Sequence, residues 1–318
     1  MILDGISSCS SGSIDRNGAW LFWACPPDEA FVKRLDSMGQ LEPVLVAEEG
    51  GRILLVSGYK RVLACERLGR PVQVRSMAGD DRHKGRVYLH LNLHRRPTGP
   101  DLVRAARFFQ TTAETGETAS AVRELEDLVP SKMLLGVRQW LHLEPCWEAA
   151  LYAGRVPFEA GPLLASLGPA DRSACEPFFE SLSWSWNKTR YFLNPLLESA
   201  GREGLDLASL MHREGLANLL VQGRSPNDTQ KELLQQSVRI RYPVLTELEQ
   251  SFAAVRADCL RKSRWRVQPE QHFESNGLNL QTRIRNQQEL AESLEQLRLL
   301  SAEAAFEPIW QWQREHLD

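Results

Sequence analysis

The sequence predicts an α+β chain of several domains: a small mixed α/β unit, an all-helical middle, and an α-β-β-α region toward the C-terminal end. Three observations predict it. Strand-length apolar runs separated by turn residues crowd the segment from Phe31 to Met77. Helical spacing, broken repeatedly at Pro and Gly, fills the segment from His83 to about Ala200. A helix pattern, two strand patterns and a longer helix pattern then close the chain. With 318 residues and a mass of 36.0 kDa, two or three domains can each bury a core.

Taken in order, "PVLVA", "RILLV" and "PVQV" read as strands. Between the first two, Glu48-Glu49-Gly50-Gly51 suits a hairpin because glycine accepts positive φ, and "RVLACERLG" has helical spacing closed by a C-cap at Gly69. The predicted order is strand, hairpin, strand, helix, strand. The opening "MILDGISSCSSGSIDRNG" lacks the basic and apolar regions of a secretory signal and is expected to be loose. Helices follow, interrupted at "RRPTGPD", "AETGET", "LVPSK", "GRVPFEAGP" and "GPADRS". Thr98 or Asp101 is placed to cap "DLVRAARFFQTTAET", and Pro100 suits the first turn, where its missing N–H costs nothing. From Ala119 to Leu143, "ASAVRELEDLVPSKMLLGVRQWLHL" has the outline of a helix-turn-helix whose second helix starts at, and is capped by, Ser131. Residues 201–236, with "GRSPNDTQ", are the most linker-like part of the chain. Beyond them, "YPVLTELEQSFAAVRADCL" is a helix pattern, "RWRVQPE" and "GLNLQTRIR" are strands, and "NQQELAESLEQLRLLSAEAAF" is a helix. The expected boundaries are 1–97, 98–200, a connector at 201–236, and 237–318.

Composition narrows the function classes. The chain is 42% hydrophobic and 25% charged with no apolar run near the length of a membrane span, so a soluble, cytoplasmic protein without a membrane partner is expected. Six cysteines lie far apart with no C-x-x-C pair, which argues against a zinc ribbon or a redox pair. A net charge of −3 provides no global attraction to nucleic acid, so a DNA-binding surface must come from a local cluster of Lys and Arg. His83, His90 and His94 lack the acidic ligand that would make H-x-x-x-H informative, and no metal ligands are predicted. With no G-x-S-x-G turn and no flanking signature around any cysteine, no catalytic residue is assigned.

Two stretches carry candidate binding chemistry. In "SGYKR", Gly58 permits close backbone approach, the helix that follows offers free N–H groups, and Lys60 or Arg61 can hold a phosphate; an ordinary glycine turn with solvated cations fits the same residues. In the second helix of the helix-turn-helix outline, Ser131, Lys132, Arg138 and Gln139 are the candidates for DNA contacts. A helical hairpin packed through Met133, Leu134, Val137 and Trp140 is the competing description. Trp184, Trp186 and Tyr191 offer rings for base stacking or for a core.

The order of these pieces resembles the ParB family of chromosome and plasmid partition proteins. "LDSMGQLEPVLVAEEGGRILLVSGYKRVLACERLGRPVQV" is similar to the family's N-terminal domain, where a Gly-x-x-x-Pro approach to a strand precedes a Gly-Glu-Arg-Arg phosphate motif; Gly39, Pro43, Gly58, Arg61, Ala64 and Leu68 match in order. "NLHRRPTGPDLVRAARFF" resembles the family's Glu-Asn-Leu-Gln-Arg segment, with Asn92, Leu93 and Arg95 in register. Gly154 to Gly161 is similar to a stretch that follows the family's helix-turn-helix, and the last region looks like the dimerisation domain of chromosomal members. The resemblance implies a ParB/sulfiredoxin-like fold and a nucleoid-associated homodimer held through residues 237–318. It further implies DNA bound by the central helices, CTP with Mg²⁺ bound through Gly58, Tyr59, Lys60, Arg61, Asn92 and Arg95, and a ParA-like ATPase as a further partner.

The departures from the family pattern fall on its carboxylates. The positions of the glutamates that serve hydrolysis and the metal-nucleotide environment are Tyr59 and Leu91 here, so turnover of CTP is expected to be impaired even where phosphates are still held. Tyr59 also replaces the nucleophilic cysteine of the related sulfiredoxin turn. A phosphoryl-transfer enzyme or nuclease on the same fold, and a dimeric regulator with decayed ligand sites, are the alternatives.

Overall fold

The computed structural model describes residues 3–113, 118–260, 264–270, 277–302 and 306–316. They fall into two compact units, residues 1–186 and 187–318.

The first unit opens with β1 (Leu3–Cys9), the two-residue strand β2 (Ile14–Asp15) and α1 (Glu29–Met38). Next come β3 (Val44–Glu49), β4 (Arg52–Ser57), α2 (Tyr59–Leu68), β5 (Val72–Met77) and α3 (Asp81–Asn92). The strands form one sheet in the order β1-β5-β3-β4-β2. The β3–β4 hairpin turns through Gly50 and Gly51, both at positive φ, as the Glu-Glu-Gly-Gly sequence predicts. β3 and β5 run parallel, with β4 and α2 forming the crossover between them. One face of the sheet buries Val44, Val46, Leu55, Val72 and Val74 against Val32 and Leu35 of α1 and Val62, Ala64 and Cys65 of α2. On a second cluster, Ala47, Val56 and Met77 pack with Val87 of α3.

The opening residues are not loose where the structure describes them: β1 pairs antiparallel with β5, Ser7 opposite Val74 and Cys9 opposite Val72. An edge of the sheet needs backbone partners, and β1 supplies them while leaving the side chains of Ile6, Ser7 and Ser8 exposed. Its Ser-rich sequence therefore shows no apolar alternation. Trp20 and Phe22, from the irregular segment after β2, are also buried. The Trp20 indole donates to the Leu55 carbonyl at 2.8 Å, and Phe22 packs edge-on against Tyr88 and Phe108. The Lys84 ammonium lies 4.7 Å from the Trp20 ring, bonded to the Glu49 and Asp81 carboxylates. Burial works against its charge, yet the two acidic partners together hold its pKa above the ordinary lysine value.

The rest of the unit is helical: α4 (Gly99–Thr111), α5 (Thr118–Arg123), α6 (Ser131–Leu141), α7 (Pro145–Tyr152), α8 (Gly161–Ser166) and α9 (Pro169–Ser181). The break expected at "AETGET" lies across 114–117, outside the described residues. Thr98 and Asp101 form a reciprocal capping box at the start of α4, with Pro100 in the first turn. Glu124, just beyond α5, accepts from Arg82 and Arg86 of α3; its burial opposes ionisation, but the two guanidinium hydrogen bonds hold its carboxyl below the usual range.

The second unit contains α10 (Trp186–Glu203) from its second residue, α11 (Leu207–Arg213), α12 (Pro226–Arg241) and α13 (Pro243–Cys259). The segment 201–236 thus carries α11 and much of α12. β6 (Arg266–Pro269) and β7 (Leu278–Gln281) pair antiparallel, Val267 opposite Leu280, and α14 (Gln287–Ala302) follows. The α-β-β-α order holds, but α15 (Glu307–His316) extends it. Ile309 and Trp312 of α15 close the core around Phe252 and Val267, so the last helix completes this cluster.

Candidate functional site

The turn at Gly58 joins β4 to α2. Gly58 is the N-cap of α2 with φ 108° and ψ 24°, and a Cβ there would meet Val44 Cγ2 at 3.0 Å. Both its backbone conformation and its closeness to β3 require glycine. The N–H groups of Arg61 and Val62 bond to the Gly58 carbonyl, which leaves those of Tyr59 and Lys60 outside the helical ladder. Tyr59 packs on the sheet core, whereas Lys60 is half-buried and forms no ion pair with the described residues. Arg61 is also half-buried, and its guanidinium holds the carboxylate of Glu42. Cys65, one turn along α2, is buried, and burial pushes its thiol upward against the opposing pull of Arg70; it stands in the core as a thiol.

Glu42 lies in the connection between α1 and β3. Gln40 fixes that connection: its amide donates to the carbonyls of Glu42 at 3.0 Å and Gln73 at 2.7 Å, and accepts from Gln73 N–H at 2.8 Å. Phe31, Leu35, Met38 and Leu41, together with Arg34, Glu42 and Arg61, line an open cleft of ≈ 290 Å³ beside this connection.

Asn92 reaches the same turn from the end of α3. It is buried, and its amide donates to Ser57 Oγ at 3.2 Å and to the Tyr88 carbonyl at 2.8 Å. Ser57 immediately precedes Gly58, so "SGYKR" and "NLHRR", distant in sequence, meet in space. Tyr88 is held in place by an aromatic cluster, and its hydroxyl, which accepts from Trp23 N–H, is pushed up to about 12 chiefly by burial. Arg95 lies in a 3-10 turn after Asn92 and is exposed, with no hydrogen bond to the α2 turn among the described residues. Leu91 is 49% exposed. Among the described residues, no group of three or more His, Cys, Asp and Glu side chains could hold a metal ion.

The second set of candidates lies on α6. Ser131, Lys132 and Arg138 are exposed, together with Leu135, and Gln139 is half-buried. Arg138 pairs with Glu126 at 3.0 Å. Leu134, Val137 and Trp140 form the opposite, buried face. The predicted cap at Ser131 is corrected: Pro130 occupies the N-cap position and no side chain caps the helix, because Ser131 already lies inside the first turn. The packing depends on Phe158, whose ring fills the space that a Cβ on Gly136 or Gly99 would occupy, at 2.7 Å and 2.3 Å. Of the rings proposed for stacking, Trp184 is buried and donates to the Phe178 carbonyl, Trp186 is half-buried, and Tyr191 is 68% exposed.

Among the solved structures to which the chain is similar are three of ParB proteins or domains. A Pnob8-like ParB-N domain is similar at 15% identity over 64% of this chain and 98% of that chain, with a TM-score of 0.42. C-terminally truncated ParB from Caulobacter crescentus is similar in two complexes. With the centromeric parS site the identity is 16% over 54% of this chain and 91% of that one, TM-score 0.34. With CTP-gamma-S it is 18% over 56% and 99%, TM-score 0.26. No protein-family model and no curated protein matches the chain.

The structure adds residues that the sequence did not single out. Glu42 stands inside the quoted "GQLEP", and its pairing joins positions 19 apart across the α1–β3 connection. Gln40 binds a strand edge through its side chain, as a backbone would. The only local signal for either is that they lie between Gly39 and Pro43.

Proposed function

We propose that the chain is a divergent ParB-like, DNA-binding protein of the partition type, whose N-terminal sheet domain takes a cytidine nucleotide as a conformational ligand. The observation that carries this reading is the hydrogen bond from Asn92 to Ser57, which brings two motif segments 35 positions apart to one glycine turn. The turn suits a polyphosphate: Gly58 keeps the approach open, the Tyr59 and Lys60 N–H groups face the helix start, and Lys60 and Arg61 supply cations. The engagement of Arg61 by a carboxylate supports its ability to hold an anion.

The fit to a metal is narrower. Asn92 spends its amide N–H groups on Ser57 and Tyr88, leaving its oxygen as the metal-competent atom among the motif positions. Tyr59 and Leu91 provide no carboxylate to help hold Mg²⁺ or to position water, so nucleotide binding without efficient hydrolysis is the function proposed. Bound nucleotide supplies the turn with a polyanion, and the chain's own residues orient it. DNA binding is assigned to the exposed face of α6 and self-association to the last region, where Ile284, Leu290 and Leu294 are exposed.

Thermal melting with CTP, ATP, GTP and UTP in the presence of Mg²⁺ tests the nucleotide site. A ligand that binds only the folded state at 100 times its Kd stabilises it by about 2.7 kcal/mol. CTP is expected to raise Tm by several degrees, selectively, and Arg61→Ala is expected to lose that rise. Absence of a CTP-selective shift at millimolar ligand overturns the proposal.

A further inference from the structure

Arg61 is the best-placed cation of the glycine turn, and it is already taken. Its partner is not a casual surface carboxylate. Glu42 is presented from a backbone fixed at three points: Gly39 at φ 74°, the three Gln40 side-chain hydrogen bonds to Glu42 and Gln73, and Pro43, whose ring restricts the next φ. Both members of the pair line the same cleft, and the Glu42 side chain is 71% exposed, free to swing away. To a guanidinium, a carboxylate presents the same paired oxygens as a phosphate.

We infer that Glu42 is an internal competitor for the nucleotide's phosphates, a carboxylate that occupies Arg61 until a polyanion displaces it. The inference rests on the nucleotide-site reading above and deepens it by naming what regulates that site. Displacement costs one exposed ion pair, so it weakens modestly, and by the same factor, every ligand that must free Arg61. A triphosphate still binds under that penalty because it engages Lys60, the N–H groups outside the helical ladder and Arg61 together, whereas a monophosphate has fewer contacts to offset it.

The test is calorimetric titration of the full chain and of Glu42→Gln, Arg61→Ala and the double variant with CTP·Mg²⁺ and with CMP. An exposed pair of this kind corresponds to roughly a threefold to fivefold change in affinity. Glu42→Gln is expected to tighten CTP by about that factor, to tighten CMP at least as much, and to change nothing when Arg61 is already Ala. Equal CTP affinity in wild type and Glu42→Gln, or the same gain in both Arg61 backgrounds, overturns the competitor while leaving the nucleotide site standing. If neither wild type nor Glu42→Gln binds CTP while both melt cooperatively, the nucleotide-site reading falls and the competitor with it.

Discussion

Gly58 concentrates the demands of the fold and of the proposed site in one residue. Its φ of 108° excludes comfortable use of an L side chain, and Val44 stands 3.0 to 3.3 Å from where a Cβ would be. Gly69, which closes the same helix at φ 62°, has nothing within 4 Å of that position. Gly69→Ala therefore meets only backbone strain, and Gly58→Ala meets strain and a clash. We expect Gly58→Ala to cost about 1–3 kcal/mol in urea unfolding, more than Gly69→Ala, and to lose the CTP-dependent rise in Tm. Equal costs for the two variants would show that Val44 moves aside freely. Both glycines are legible in the sequence because each ends or begins a patterned segment. The partnership of Arg61 with Glu42 is not, since it depends on how the α1–β3 connection is held, and Gln40 holds it through a side chain that mimics backbone pairing. Ser131 shows the converse: its residue type announces a cap, but the preceding proline takes the position.

At the scale of elements, α6 keeps its packing residues and the proposed DNA contacts on different faces. Leu134, Val137 and Trp140 are committed to packing, and Gly136 admits the Phe158 ring, while Ser131, Lys132 and Leu135 are exposed. Gly136→Ala is expected to cost about 1–3 kcal/mol by overpacking. Lys132→Ala should leave the urea midpoint unchanged, weaken DNA retention, and lower the slope of log affinity against log salt by about one charge. Retention and slope unchanged in Lys132→Ala would remove α6 from the DNA surface. The strands β3, β4 and β5 and the helix α2 were legible because apolar periodicity reports burial. β1 is not, because its pairing is made by backbone at an edge and Ile6, Ser7 and Ser8 are exposed. α15 is not legible as a separate helix for a related reason: its contribution is Ile309 and Trp312, two anchors whose target, Phe252 and Val267, lies far back in the sequence.

At the scale of the whole molecule, the proposed ligand sites lie in the first compact unit, and the surface best suited to self-association lies in the second. α14 shares Leu297 and Leu300 with the core of its unit, but Leu290 and Leu294, one turn apart, are 41% and 54% exposed. Ile284 before α14 and Leu280 on β7 are 42% and 38% exposed. Successive exposed apolar positions one turn apart on a helix suit a copy of the same surface related by twofold symmetry, since an isologous contact needs only one patch. The full chain is therefore expected to be a dimer by light scattering, and Leu290→Glu with Leu294→Glu a monomer at the same micromolar concentration. Two like charges added on each side of a twofold axis meet their own copies, which penalises association beyond the loss of apolar contact. Because both side chains are already solvent-facing within the unit, the double variant should retain the wild-type circular dichroism. A folded double variant that stays dimeric would move the interface away from α14; a monomeric wild type would remove self-association from the proposed function.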